Sequence, residues 1–132
     1  MYKEVMIARA DGKDEPTPML ANAATPLRYK QIFGDDLLTL FANAEQMDES
    51  GRKSYHIDFV AELAFIMAMQ AKAHSDDKIK LEKLSANSLI DWLEDFDSMA
   101  IENAIEDIIE VYMGNTKTGS EAKKNKDEQS ES

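Results

Sequence analysis

The side chains best placed by type and spacing are three glutamates near the end of the chain, Glu102, Glu106 and Glu110, four residues apart. On a helix that spacing stacks them on one face. Each pair of like neighbours costs about 0.2–0.5 kcal/mol. Glu106, Asp107 and Glu110 also lie toward the negative end of the helix dipole, where cations are preferred. Between Lys83 and Lys117 there is no basic residue, and eight acids occupy the gap: Asp91, Glu94, Asp95, Asp97, Glu102, Glu106, Asp107 and Glu110. A solvated face normally mixes in lysine at i+4. This one reads either as a plain solubilising face or as a surface for a basic or amphipathic partner segment. Catalytic chemistry finds less support. His56 and His74 are eighteen apart and belong to no metal-ligand spacing. Acid–base work of the glycosidase kind needs two carboxylates converging in a pocket, and abundance in an acidic chain does not supply that. No phosphate-binding loop, dinucleotide fingerprint or calcium loop is present. The expectation is a binding protein and not an enzyme, with no catalytic residue, no cofactor and no metal.

Composition narrows the setting. The chain has 132 residues, 26 acidic and 15 basic, for a formal charge of −11. Such a surface repels nucleic acid and anionic membranes. No cysteine is present, which removes disulfides, thiolate zinc sites and a cysteine nucleophile, and fits a reducing compartment. The longest apolar stretch, Phe59–Met69, contains Glu62 and falls short of the roughly 20 residues a membrane span needs. The N-terminus has no apolar run of signal-peptide length. A soluble, cytoplasmic protein is expected, with one domain over 1–115 and a disordered polar tail over 116–132.

The elements that would position these residues are mostly helical. Residues 1–24 read as a β-hairpin or extended arm. Asp11-Gly12-Lys13-Asp14 is turn chemistry, and Met19–Ala24 is the expected returning strand after Pro16 and Pro18. Thr25 is expected to cap a helix with Pro26 in its first turn, and Gly34 to end it in a left-handed conformation. Asp35 and Asp36 restart a helix whose wide apolar face is Leu37, Leu38, Leu40 and Phe41. A surface loop covers 47–54. The segment Tyr55–Ala73 is apolar nearly all round, as a central helix is. Met67 and Met69 on it are ordinary core or a soft binding surface. A short turn over 76–84 precedes a helix capped by Ser88, carrying Leu89, Trp92, Leu93 and Phe96 on one side, with Trp92 as a structural anchor. Ser98 is expected to cap a last helix whose stripe is Ile101, Ile105, Ile108, Ile109 and Tyr112, stopped at Gly114-Asn115. The fold class is therefore mainly α (α+β): a bundle of about five helices with an N-terminal hairpin.

Two resemblances bear on function. Asp97-Ser98-Met99 at the start of an acidic helix looks like the Asp-Ser-Leu attachment motif of acyl carrier proteins, in which the serine carries phosphopantetheine. The match fails further along, because a carrier needs further helices where this chain turns to polar tail at Thr116. An acidic inhibitor imitating DNA is a third reading, but such mimics spread carboxylates over the whole surface, whereas here they concentrate in 91–110. The second resemblance covers most of residues 2–126. The ordered set is Ala24-Thr-Pro-Leu-Arg-Tyr-Lys-Gln-Ile-Phe-Gly-Asp-Asp-Leu-Leu38, Leu63-Ala-Phe-Ile-Met-Ala-Met-Gln-Ala71, Trp92-Leu-Glu-Asp-Phe96, Tyr112-Met-Gly-Asn115 and a Lys-rich end. It resembles the tail assembly chaperones of long-tailed siphophages and prophages of Gram-positive bacteria.

That resemblance implies a protein of the host cytoplasm that binds the tape-measure protein, keeps it soluble while tail-tube subunits assemble, and is absent from the finished virion. It also implies a longer frameshifted product that recruits the tail-tube protein. Lys123-Lys124-Asn125-Lys126 is what an A-rich slippery stretch would encode. Self-association is allowed; nucleic acid and membrane are not expected partners. The family has no agreed site residues, so the candidate contacts come from pattern alone: Glu102, Glu106 and Glu110, with Met67, Met69 and Tyr112 as apolar contacts.

Overall fold

The computed structural model describes residues 1–44 and 57–114. The expected loop over 47–54, the stop at Asn115 and the polar tail lie outside the described residues. Two strands, β1 (Tyr2–Ala8) and β2 (Asp14–Leu20), form an antiparallel hairpin. Helices follow: α1 (Thr25–Phe33), α2 (Leu37–Ala44), α3 (Ile57–Ser75), a 3-10 turn (Leu81–Lys83), α4 (Ala86–Leu93), α5 (Ala100–Asn103) and α6 (105–114). The architecture is mostly helical with a short hairpin at its N-terminus.

The hairpin corrects the expected position of the second strand, which is Asp14–Leu20 and not Met19–Ala24. The loop is three residues long. The Arg9 amide donates to the Lys13 carbonyl at 2.7 Å, and Gly12 sits at φ 88°, the left-handed position that a three-residue hairpin loop demands. Pro16 and Pro18 fall inside β2, opposite Met6 and Glu4. They fit because the pairs that exchange hydrogen bonds are the odd-numbered ones, in step with Met1 and Ala21, which bond each other both ways. The proline nitrogens therefore point away from β1 and remove nothing from the ladder. Val5, Ile7 and Met19 turn inward and are buried.

The core is built around α3. Every residue from Phe59 to Ala71 is buried except Glu62, which is half-buried. Each large apolar side chain hidden there is worth about 1.5–3 kcal/mol, so a helix wrapped on all sides is the main source of stability. The hairpin, α1, α4 and α5 lie against it. Two polar side chains tie it in. Gln70, 3% exposed, donates through Nε2 to the Leu20 carbonyl at 2.7 Å and to Thr25 Oγ1 at 2.9 Å. The Tyr29 hydroxyl, on a residue that is fully buried, donates to Glu62 Oε1.

Three helix caps differ from expectation. Ala24 is the N-cap of α1; Thr25 is its first residue, buried, and its hydroxyl accepts from the Asn22 amide at 3.0 Å as well as from Gln70. Thr25 thus closes the turn between hairpin and helix. Ser85 caps α4, with Ser88 as the reciprocal member of the capping box three residues on. At α5 the N-cap is Met99, whose amide is bonded at 3.0 Å by Asp97 Oδ2 and not by Ser98. Gly34 ends α1 at φ 86° with its amide on the Lys30 carbonyl, as the glycine's position requires.

Candidate functional site

The expected last helix is two helices. The path from Ala100 breaks at Ala104, whose φ is −106° and ψ 6°, before α6 resumes. Glu102 therefore stands on α5, while Glu106 and Glu110 stand on α6, and the three do not form one continuous ladder. All three are exposed. Glu110 is paired: Lys3 Nζ, from β1, donates to its Oε1 at 2.7 Å. The bond to Glu110, opposed by partial desolvation and aided by the charges of Glu110 and Asp107, holds the Lys3 ammonium above its ordinary pKa. The like-charge penalty read from spacing alone is thus relieved by a lysine 107 residues away. Local spacing carries no sign of that partner.

Met67 and Met69 are not surface contacts. They are 0% and 7% exposed within α3, because that helix is covered on every side. A partner cannot reach them in the folded chain. Tyr112 has a different place. It is half-buried, and its ring stacks on Phe41 with centroids 5.1 Å apart and planes 9° from parallel. Burial pushes its phenol pKa up.

Tyr112 lies on the wall of an open groove of about 460 Å³. Met1, Pro26, Leu38, Phe41 and Met113 complete its apolar lining, and Ala21–Ala23 form its floor at the mouth of the hairpin. Four elements converge to make it: the open end of the hairpin, the first turn of α1, α2 and the end of α6. Leu38 is 65% exposed although Leu37 beside it is fully buried. The fold buries Leu37 and Phe41 and leaves Leu38 over. At the far end, a Cβ on Gly114 would meet the Met1 sulfur, so glycine lets the first residue lie against α6.

Acids stand near the residues of this groove: Asp36 accepts from the Leu38 amide at 3.0 Å, and Glu106 and Glu110 lie seven and three residues ahead of Met113, on its side of α6. Met1, Pro26, Leu38, Phe41 and Met113 were not singled out as contacts in the sequence. The available signal was Leu37-Leu38, two leucines on an eight-residue helix that a single packing face cannot both bury.

No group of histidine and acidic residues that could hold a metal occurs among the described residues. No described helix is long and apolar enough to cross a membrane. Comparison with models of protein families, with curated proteins and with solved structures finds no match.

Proposed function

We propose that this chain is a phage tail assembly chaperone. It binds the tape-measure protein in the bacterial cytoplasm, keeps it soluble while the tail tube is built, recruits tail-tube subunits through a longer frameshifted product, and leaves before the virion is finished. It makes and breaks no covalent bond and needs no cofactor. What supports this reading is one juxtaposition, an open apolar groove beside an acid-rich helix, in a chain whose ordered segments resemble that family. A tape-measure protein exposes long amphipathic helices, and a holdase needs apolar surface edged by charge. It must also let go, so each contact is modest and copies are many.

The test is co-production with a tape-measure protein encoded in the same genome. The expected outcome is a large rise in the soluble fraction of the tape measure and its co-purification with this chain. A tape measure equally insoluble with and without the chain refutes the proposal.

A further inference from the structure

We infer that the groove between Met1, Leu38, Phe41, Tyr112 and Met113 takes one side of a single amphipathic helix that carries lysine or arginine along its flanks. This inference rests on the chaperone reading for its client but not for its geometry. The lining is mainly aliphatic, aromatic and thioether, and its polar groups, the Asn22 side chain and the Met1 amino group, are bonded to the Ala24 amide and the Ala21 carbonyl, which suits apolar anchors better than a small polar ligand. A volume of about 460 Å³ holds a few large side chains, the number one helix presents at i, i+3 or i+4 and i+7. The sulfurs of Met1 and Met113 make the walls adaptable, so the anchors need not be of one kind.

Charge selects among occupants. Asp36, whose Oδ1 accepts from the Leu38 amide at 3.0 Å, immediately precedes α2, Glu106 stands on the Met113 side of α6, and Lys3 is engaged by Glu110. An incoming helix therefore meets carboxylates beside Leu38 and along α6, in a chain of net charge −11, which favours a basic segment over an acidic one. The chain's own residues 115–132 supply the lysines but only one apolar side chain, Ala122, and cannot fill the groove. A second copy would bring another charge of −11 to the same edge.

Two exposed leucines make the test clean. Leu38 (65% exposed) lines the groove and Leu27 (71% exposed) does not, so Leu38→Asp and Leu27→Asp perturb the core equally little. The probes are three fluorescent synthetic peptides: an amphipathic helix with leucines at i, i+3, i+4 and i+7 and lysine flanks, the same helix with glutamate flanks, and the lysine peptide broken by proline. Fluorescence anisotropy should show the lysine peptide binding the full chain. Leu38→Asp and Glu106→Lys should each weaken it about tenfold or more, while Leu27→Asp leaves it unchanged. The glutamate and proline peptides should bind at least about tenfold more weakly. Equal binding of the lysine and glutamate peptides, or equal effects of the two leucine variants, overturns the inference. So does a homodimer, seen by sedimentation, that Leu38→Asp dissociates. Co-production separates the two claims. If the wild-type chain and Leu38→Asp solubilise the tape measure equally, the groove is wrong and the chaperone reading stands. If the groove binds the lysine peptide as expected and the tape measure stays insoluble, the chaperone reading is wrong and the groove stands.

Discussion

The two ends of the β-hairpin are finished in opposite ways. At the loop end the chain is tied to the segment that follows α4. The Ala10 amide donates to the Asp95 carbonyl and the Asp97 amide to the Ala8 carbonyl, both at 3.0 Å, which adds a short third rung beside β1. The Arg9 guanidinium lies 5.2 Å above the Phe96 ring, while Glu15 and Asp95 hold its nitrogens. Phe96 meets Trp92 edge-on at 4.8 Å, and Trp92 leans on Phe65 of α3 at 5.7 Å. At the terminal end, Met1 and Ala21 close the ladder, and beyond them the Phe41–Tyr112 stack stands beside an uncovered cleft. Aromatic and apolar groups gather at both ends. At the first, half-buried Trp92 is packed between two rings; at the second, Leu38 is left 65% exposed beside an open groove, the kind of apolar surface that marks candidate binding sites.

The contrast can be broken most strongly at the loop end. Trp92→Ala should cost about 3 kcal/mol, because it removes the ring joining Phe96 to Phe65. Leu38→Ala in the groove should change stability by less than about 0.5 kcal/mol. Urea unfolding followed by circular dichroism measures both, and a large loss from Leu38→Ala would mean that the groove is structural. Next in size is Tyr29→Phe. It leaves half-buried Glu62 without the hydroxyl that donates to it and should cost about 1–3 kcal/mol in the same experiment.

The pair that joins β1 to α6 at the terminal end is weaker. Lys3 and Glu110 are partly exposed, so Lys3→Met or Glu110→Gln should cost about 0.2–1 kcal/mol, and less in high salt. The raised pKa of Lys3 means that this contribution is present at neutral pH and is lost as pH rises through the folded value. The smallest effect is a slope at lower pH. Burial raises the Glu62 pKa above 4.5, Tyr29's hydrogen bond opposes the rise, and Asp58 and Asp35 add to it. The folded chain thus holds this proton more tightly than the unfolded one. Its stabilisation is whole below 4.5 and is lost as pH rises through the folded value. Glu62→Gln should flatten that part of the stability profile; an unchanged slope would assign it to other carboxylates.

Much of the architecture was legible because single residue types carry it. Gly34 marks the end of α1, and the apolar run from Phe59 to Met69 marks a helix covered all round. Trp92 anchors as expected. The second strand was misplaced because two prolines argue against a strand unless the pairing parity is known, and parity is set by the turn at Gly12. The break at Ala104 has no local mark, since alanine is the best helix former; it accompanies the burial of Ile101, Ala104 and Ile108. Of the six residues singled out as contacts, only Tyr112 lines the groove. Leu38, Met1 and Met113 were not visible by spacing, because a groove is made by elements far apart in sequence.

Phe41 meets Tyr112, Lys3 meets Glu110 and Met1 lies against Gly114. These clasps unite the first and last portions of the described chain. During synthesis the early elements leave the ribosome first, so the cleft gains Tyr112 and Met113 only after the hairpin and α1 to α5 have emerged. A ribosome that has not yet passed codon 114 carries a nascent chain in which this groove still lacks Tyr112 and Met113, whatever occupies it later.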